Sequence, residues 1–317
     1  MSDIHRDSHV VAGIIRDTQD RILIAQRKPG THLAGAWEFP GGKLEKNEDR
    51  MAGLRRELFE ELSIKVRAAS PLIQLHHNYP DRKLLLDFWC IEDFEGVATG
   101  AEGQALKWVQ INALDTANIL EADRPAINAL RLPDRYAVTA LPGDRTQFSA
   151  QIAAACANDV SLLQVRAPGA DKMQLRALLQ AAMRAAPQGR FLLNGDPDIT
   201  LPIVQACGAA GIHLPSRFLA EKKYVFPDEL LIAASCHNAT ELELAARIGA
   251  SFAVLGPVMP TMSHPGVNGM GWEAFAELVA TAMLPVYAIG GMTVDNIDKA
   301  RASGAQGIAG ISGFFAL

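Results

Sequence analysis

Three glutamates on one face of a predicted helix are the strongest constraint in this sequence. Glu57, Glu60 and Glu61 occupy positions i, i+3 and i+4, so their side chains project from the same face. Like charges at this spacing repel one another and destabilise a helix. The simplest interpretation is an acidic helix face that is exposed to solvent, and the alternative is a site for a cation. Clustered carboxylates are the hard oxygen ligands that suit Mg²⁺, with Mn²⁺ as a second option. The pattern therefore predicts a helix that carries a divalent-metal site.

The residues before this helix follow a known spacing. The turn Trp-Glu-Phe-Pro-Gly-Gly ends at Gly42, Glu48 follows after five residues, and Arg56 begins the run Arg-Glu-Leu-Phe-Glu-Glu. This arrangement resembles the Nudix box of nucleoside diphosphate hydrolases. Ser63 stands where that family usually has glycine, and a left-handed turn there costs a residue other than glycine about 1–2 kcal/mol. We expect a local cost at Ser63 and an intact site.

The likeness extends over residues 8–131, where the chain resembles MutT, the Nudix branch that clears 8-oxo-dGTP. It implies an α/β/α fold with a mixed sheet, and catalysis by aligned metal ions and water without a covalent nucleophile. Glu48 and Arg56 would hold the catalytic loop against the helix, and Glu57 or Glu102 would orient the attacking water. The metal shell implied by the resemblance consists of the Gly42 carbonyl, Glu57, Glu60, Glu61 and Glu102.

The same resemblance implies a nucleoside triphosphate pocket formed by Arg27, His32, Phe39, Arg82 and Asp123. Asp123 departs from MutT, which commonly has an amide at the base-reading position. An ionised carboxylate only accepts hydrogen bonds, whereas a protonated carboxyl in a dry pocket also donates one. Asp123 also precedes Pro125 at the start of a predicted helix, so a helix cap is the competing role.

Composition restricts the remaining partners. The 317 residues are 49% hydrophobic and 21% charged, as in ordinary globular proteins. A net charge of −5 and a sequence pI near 5.9 argue against a surface for a nucleic-acid polymer or a membrane. Four cysteines without CxxC spacing and the lack of a basic-then-apolar start favour a cytoplasmic protein. The oligomeric state stays open.

The chain order predicts two domains, a Nudix domain over residues 1–131 and a barrel over residues 136–317, joined by a linker at residues 132–135. In the first domain, apolar runs at residues 9–15 and 21–26 predict a hairpin. Further strands follow the acidic helix, and a closing helix covers residues 125–130. The overall class is α+β in the first domain and α/β in the second.

Eight strand-like apolar runs alternate with Ala- and Leu-rich stretches after residue 135. They lie at residues 136–140, 161–166, 190–194, 210–214, 231–235, 252–256, 285–289 and 307–311. Eight alternating units of this kind predict a (β/α)8 TIM barrel, whose functional residues follow the carboxyl ends of the strands.

The strand ends resemble the phosphate-binding loops of thiamine phosphate synthase and its TenI relatives, chiefly in the segments GPVMPTMSHPG, AIGGMT and SGFF. The resemblance implies a thiamine-related phosphate site, and its candidate residues are Gln164, Arg166, Asn194, Gly290, Gly291, Ser312 and Gly313. Pro168 replaces an expected lysine and Gly195 an expected acidic metal ligand. Loss of these charges argues against synthase activity and favours a degenerate, ligand-binding barrel.

These observations predict a Mg²⁺-dependent enzyme that converts 8-oxo-dGTP to 8-oxo-dGMP and pyrophosphate. Two alternatives stay open. The Nudix site could hydrolyse thiamine pyrophosphate or a damaged analogue, in one pathway with the barrel. The barrel could instead sense a thiamine-related phosphate and modulate the hydrolase, which requires a measurable coupling between the two sites.

Overall fold

The computed structural model describes residues 8–79, 82–139, 145–220, 224–261 and 268–315. Within these ranges, nothing is described of the side chains of residues 78, 79, 82, 115, 116, 145 and 312. The chain divides between Arg131 and Leu132 into two compact units. No helix in the described residues is both long enough and apolar enough to cross a membrane.

The first unit contains seven strands and two helices. They are β1 (Ser8–Ile15), β2 (Arg21–Gln26), β3 (Trp37–Glu38), β4 (Gly41–Lys43), α1 (Arg50–Leu62), β5 (Lys65–Tyr79), β6 (Arg82–Glu95), β7 (Leu106–Gln110) and α2 (Arg124–Arg131). A four-stranded mixed sheet has the order β4-β1-β6-β5, in which β1 runs parallel to β6. The order β3-β2-β7 forms a second, antiparallel sheet.

The prediction that β1 and β2 pair as a hairpin is wrong, because no continuous ladder of hydrogen bonds joins the two described strands. The two strands lie in different sheets and meet at the antiparallel bridge between Arg16 and Ile22. Strand β1 instead pairs along its whole length with β6, and this pairing buries its apolar residues on both faces. Apolar runs of this kind suit strands covered on both sides, which a local hairpin signal does not distinguish.

Helices cover the mixed sheet on both sides. Leu54, Leu58 and Leu62 of α1 repeat every four residues and are fully buried against β1 and β6. A separate cluster packs α2 against other residues of the same sheet. Because the leucines fill one face of α1, its glutamates lie on the remaining surface. This α/β/α arrangement agrees with the predicted fold.

Both ends of α1 are fixed by local chemistry. The Asp49 carboxylate accepts hydrogen bonds from the backbone N–H groups of Met51 and Ala52, which caps the first turn. Ser63 ends the helix with φ 57° and ψ 29°, and its N–H donates to the Phe59 carbonyl. The predicted left-handed turn at Ser63 is confirmed.

The second unit is a closed barrel of eight parallel strands, as predicted. The strands are β8 (Arg135–Val138), β9 (Leu162–Val165), β10 (Arg190–Asn194), β11 (Gly211–Leu214), β12 (Leu231–Cys236), β13 (Phe252–Leu255), β14 (Val286–Ile289) and β15 (Gly307–Gly310). The helices are α3 (Arg145–Ala157), α4 (Lys172–Ala185), α5 (Pro197–Cys207), α6 (Ala239–Arg247), α7 (Gly271–Ala280) and α8 (Ile297–Ala302). Strand β8 pairs with both β9 and β15, which closes the ring.

The segment predicted as a linker is held by the barrel. Leu132 is buried in the cluster that includes Tyr136 and Tyr287. The Tyr287 hydroxyl donates to the Pro133 carbonyl at 2.5 Å, and the backbone N–H of Ile308 donates to the Asp134 carbonyl at 2.9 Å. These contacts place residues 132–135 within the second unit instead of in a separate connection.

Candidate functional site

The turn before α1 brings two backbone glycines against two carboxylates of that helix. The N–H of Gly41 donates to Glu61 Oε2 at 3.0 Å. A Cβ atom added to Gly42 would lie only 2.2 Å from Glu57 Oε2, far inside van der Waals contact. Glycine is therefore required at position 42 for Glu57 to reach the turn. The geometry forms a backbone cradle with carboxylates on its helix side.

Arg56 ties the acidic residues of the box together. Its guanidinium donates to both oxygens of Glu48 at 2.8 and 2.9 Å, and to Glu57 Oε1 at 2.8 Å. Weaker contacts reach Glu60 Oε2 at 3.3 Å and the Lys43 carbonyl at 3.1 Å. The hydrogen bonds from Arg56 lower the pKa of Glu48 to about 2. This network joins the loop to the helix, the arrangement that the resemblance implies.

The carboxylates crowd one another at the helix surface. Burial raises the pKa of Glu61 to about 7, and the charges of Glu38, Glu57 and Glu102 add to this effect. Burial likewise raises the pKa of Glu57, although Arg56 opposes the shift. A cation placed beside a carboxylate with a raised pKa stabilises its ionised form. The donor set is oxygen only, which suits Mg²⁺ or Mn²⁺.

The glycine turn and the nearby carboxylates therefore fit a divalent ion. The residues that would hold it are Gly42, Glu57, Glu60, Glu61 and Glu102. In the described residues, no group of three or more acidic, histidine or cysteine side chains is already gathered at ligand distance. Arg56 contacts Glu57 and Glu60, and Lys28 contacts Glu102. A bound ion would draw the oxygens of Glu60 and Glu102 away from Arg56 and Lys28. Glu57 would keep the hydrogen bond from Arg56 to its Oε1, because its Oε2 is the oxygen that faces the glycine turn.

Next to the cradle lies a cavity of about 510 Å³, a volume typical of small-molecule sites. Its apolar wall includes Leu86 and Phe88, and Phe39 meets Phe88 edge to face with ring centroids 5.9 Å apart. The predicted site residues that line this cavity are Arg27, His32, Phe39, Gly42, Glu61, Glu102 and Asp123. The side chain of Arg82, the remaining pocket residue, lies outside the described ones.

Asp123 is buried in the wall of this cavity, with 6% of its surface exposed. Its Oδ2 accepts the backbone N–H of Phe39 at 3.0 Å. The residue ends a short 3-10 turn that runs directly into α2, and its side chain is hydrogen-bonded to Phe39, in the turn between β3 and β4. Burial raises the pKa of Asp123 to about 8; Glu38 adds to the shift and Arg27 opposes it. At neutral pH the carboxyl is therefore protonated and able to donate.

Two further pairs at the cavity were missed in the sequence. Arg27 donates to the His32 carbonyl at 2.6 Å and forms an ion pair with Glu38. Lys28 forms an ion pair with Glu102 across 74 positions of sequence. Glu38 could have been found from its position inside the Trp-Glu-Phe-Pro-Gly-Gly turn. Lys28 carries no local signal, because its partner is distant in sequence.

An ion pair with a buried carboxylate also anchors the start of α1. Asp87 of β6 is 1% exposed and binds Arg50, the first residue of α1, through two hydrogen bonds of 2.5 and 2.7 Å. His9 lies 3.5 Å from the same carboxylate. An acidic residue inside the apolar run Leu-Leu-Leu-Asp-Phe-Trp was the available sequence signal, since a buried carboxylate requires a partner.

In the barrel, a polar network lies among the strands. His213 Nδ1 is 2.9 Å from both the Tyr136 hydroxyl and Gln164 Nε2, and its Nε2 is 2.8 Å from Ser235 Oγ. Burial lowers the pKa of His213 to about 3, and Arg166 contributes. The ring is therefore neutral. Because an amide nitrogen only donates, Nδ1 accepts from Gln164 and Nε2–H donates to Ser235. Sequence reasoning identified Gln164 alone from this group.

The other predicted barrel residues lie at strand ends, near the same mouth. Gly290 and Gly291 follow β14 with φ values of 104° and 67°, so both use backbone conformations that favour glycine. A Cβ atom on Gly313 would lie 2.7 Å from the Met292 carbonyl, which shows close backbone approach between the two loops. Asn194 ends β10, and Arg166 follows β9 with its N–H bound to Thr139 Oγ1. The side chain of Ser312 lies outside the described residues.

Comparison with known proteins divides the chain at the same place. Residues 11–129 match the family model described as NUDIX domain, and residues 135–314 match the model described as thiamine monophosphate synthase. The 8-oxo-dGTP diphosphatase of Escherichia coli K12 is 36% identical over 122 residues, which are 38% of this chain and 95% of the relative. The CTP pyrophosphohydrolase of the same strain is also 36% identical, over 38% of this chain and 88% of the relative. The thiamine-phosphate synthase of Thioalkalivibrio sulfidiphilus is 34% identical over 59% of this chain and 89% of the relative.

Replacement of Gly42 tests the cradle. In Gly42→Ala the added methyl group overlaps the Glu57 carboxylate, so Glu57 must move away from the turn. We expect Mn²⁺ binding, measured by the electron paramagnetic resonance signal of the free ion, to weaken by about tenfold or more. Circular dichroism should show an unchanged fold. Unchanged Mn²⁺ affinity in a folded variant would exclude this backbone cradle from the metal site.

Proposed function

The chain belongs to the NUDIX domain family over residues 11–129 and to the thiamine monophosphate synthase family over residues 135–314, and we propose on this basis that its first unit hydrolyses an oxidised purine nucleoside triphosphate. The reaction converts 8-oxo-dGTP to 8-oxo-dGMP and pyrophosphate with Mg²⁺. Nudix enzymes are hydrolases of nucleotide diphosphate bonds and generally depend on a divalent metal.

One observation carries the proposal: a buried carboxyl, whose pKa is raised by burial, lines the same cavity as the crowded carboxylates. Asp123 lines the cavity beside Phe39, and Glu61 lines it beside the glycine turn. A protonated carboxyl offers one donor and one acceptor, which complements the edge of a purine that carries a carbonyl and an N–H group. A nucleotide with its base at Asp123 would direct its phosphates toward the carboxylates.

The chemistry follows from this placement. When bound, the divalent ion supplies charge neutralisation of the phosphates and activates a water molecule. The chain's own residues do the rest. Glu57 or Glu102 accepts a proton from the attacking water, Arg56 keeps Glu57 in position through its 2.8 Å hydrogen bond, and Phe39 with Phe88 excludes water from the base. Positioning and electrostatics, without a covalent intermediate, account for catalysis.

A second substrate is favoured by the same carboxyl. Cytosine presents an acceptor at N3 beside a donor at N4, and a protonated Asp123 complements that pair as well as the purine edge. The similarity to the CTP pyrophosphohydrolase is as high as that to the 8-oxo-dGTP diphosphatase. The volume of the cavity admits either base. Thiamine pyrophosphate, the third candidate, is favoured only by the presence of the barrel in the same chain.

A substrate panel separates these readings. We expect kcat/KM for 8-oxo-dGTP to exceed that for dGTP, CTP and thiamine pyrophosphate by at least about tenfold, which corresponds to one extra hydrogen bond in the base pocket. The four compounds are compared at equal Mg²⁺, with pyrophosphate and phosphate release measured in parallel. Higher kcat/KM for CTP would assign the site to pyrimidines. A preference for thiamine pyrophosphate would place both units in one vitamin pathway.

The protonation of Asp123 gives a pH prediction. A raised pKa keeps the donor proton in place below about pH 8 and loses it above that value. Glu38 and Arg27 are the charged groups that act on this carboxyl. We expect the dissociation constant of the Ca²⁺ complex of 8-oxo-dGTP to rise about tenfold between pH 7 and pH 9.5. Asp123→Asn keeps a permanent donor, so its affinity should stay flat over this range. A variant that follows the wild-type curve would place the titrating group elsewhere.

For the second unit we propose a ligand-binding barrel without synthase activity. Supporting observations are Pro168 and Gly195 at positions where charge is expected, and Asp196, whose carboxylate accepts the Asp198 N–H at 2.9 Å as the cap of α5. The Gly290–Gly291 turn still offers backbone N–H groups for a thiamine-related phosphate. A site without those charges can bind a phosphate yet fails to stabilise pyrophosphate departure.

The barrel proposal is tested on the whole chain. With Mg²⁺ and the pyrimidine pyrophosphate and thiazole phosphate substrates of thiamine-phosphate synthase, we expect no thiamine monophosphate. Calorimetry should nevertheless detect binding of thiamine monophosphate in the micromolar range, about −8 kcal/mol. Product formation would contradict the first expectation, and lack of binding the second. Hydrolysis rates with and without thiamine monophosphate then measure any coupling between the sites.

A further inference from the structure

Lys28 occupies an unusual place for a loop lysine. Its ammonium group contacts the carboxylate of Glu102, and both residues line the cavity next to the cradle. The two side chains are 42% and 43% exposed, so the pair sits at the rim, open to solvent and to ligand. A rim ion pair of this exposure contributes little to folding stability. Its position beside the phosphate end of the cavity calls for a different role.

Glu102 is held independently of Lys28. The backbone N–H of Glu102 donates to Gln104 Oε1 at 3.0 Å, and Gln104 Nε2 donates to the Glu61 carbonyl at 2.9 Å. This chain of contacts ties the Glu102 loop to the last turn of α1. The negative charge of Glu102 also contributes to the raised pKa of Glu61, because the two carboxylates repel each other. Glu102 therefore belongs to the acidic group whether or not Lys28 is present.

Lys28 and a divalent ion compete for the same carboxylate. An ammonium group beside Glu102 lowers the negative potential of the acidic group and so weakens attraction for a cation. A divalent ion that takes Glu102 must displace the ammonium group, which then requires new acceptors. The oxygens of a bound polyphosphate supply those acceptors at the same rim, and lysine binds phosphate well as a point charge.

We propose that Lys28 is a nucleotide-positioning residue that exchanges partners, from the carboxylate of Glu102 to the polyphosphate, when the metal–nucleotide complex binds. The exchange opposes binding of the metal alone and favours binding of the metal together with its nucleotide. The inference rests on the proposed triphosphate site of the first unit. It assigns to Lys28 a role distinct from that of Arg27, which pairs with Glu38 and the His32 carbonyl.

The test uses Lys28→Met in the full chain and two binding measurements that do not require turnover. Mn²⁺ binding without nucleotide, followed by electron paramagnetic resonance, should tighten about three- to fivefold, because a positive charge is removed beside a cation site. Binding of the Ca²⁺ complex of 8-oxo-dGTP, followed by calorimetry, should weaken by about the same factor, because a phosphate contact is lost. Opposite signs for the two ligands are the signature of partner exchange. A purely structural ion pair would leave both affinities unchanged.

Three variants serve as controls. Lys107→Met removes an exposed lysine of the same unit that does not line the cavity, so both affinities should stay at the wild-type values. Lys28→Arg keeps the positive charge, so its affinities for Mn²⁺ and for the nucleotide complex should both equal the wild-type values. In a Glu102→Gln background, Lys28→Met should no longer tighten Mn²⁺ binding, because the coupling runs through Glu102.

Several outcomes would overturn the proposal. They are an unchanged Mn²⁺ affinity in Lys28→Met, the same gain in Lys107→Met, or a gain that persists in the Glu102→Gln background. A wild-type chain that binds Mn²⁺ but no 8-oxo-dGTP would refute the proposed triphosphate site, and the phosphate half of the exchange with it. A wild type that binds 8-oxo-dGTP, with unchanged 8-oxo-dGTP affinity in Lys28→Met, would refute the role of Lys28 alone.

Discussion

Repulsion among carboxylates at the end of one helix is the constraint on which the first unit depends. Helix α1 buries its leucines on one face, which leaves Glu57, Glu60 and Glu61 together on another. Arg56 offsets part of this repulsion within the helix and simultaneously binds Glu48 of the preceding loop. The loop, the glycine turn and the helix therefore form one electrostatic unit. Its excess of negative charge suits a divalent cation.

The sequence predicts features that depend on local spacing. The common face of the α1 glutamates and all eight barrel strands follow from periodicity, and the resemblance to the Nudix box implied the Gly42 turn and the left-handed Ser63. The failed β1–β2 hairpin shows the limit of this approach. Strand β1 is an apolar run, and nothing within it indicates that its partner is β6, whose paired residues follow 76 positions later, as Leu84 follows Ser8. Pairing of this kind is decided by burial in the complete sheet.

The site residues that sequence reasoning missed are long-range partners for the same reason. Lys28 meets Glu102, Arg50 meets Asp87, and Tyr136 meets His213, and none of these pairs lies within one element. A buried polar residue in an apolar strand, such as Asp87 or His213, indicates that a hydrogen-bonding or charged partner lies nearby. The sequence position of such a residue does not identify the partner. Only the fold selects the partner, because it alone brings distant strand ends together.

The two units also share a way of using buried ionisable groups. Burial keeps Asp123 protonated at neutral pH and keeps His213 neutral, so each residue has both a donor and an acceptor. A charged carboxylate or imidazolium would offer only one kind of hydrogen bond. In the barrel, Gln164 and Ser235 engage both ring nitrogens of His213, so burial there produces a closed polar network. In the first unit, Asp123 is buried in the wall of a cavity, whereas the charged side chains of Arg27, Lys28 and Glu102 in the same cavity are 24%, 42% and 43% exposed. Burial thus keeps the carboxyl group of Asp123 apart from the charges at the more exposed part of that cavity.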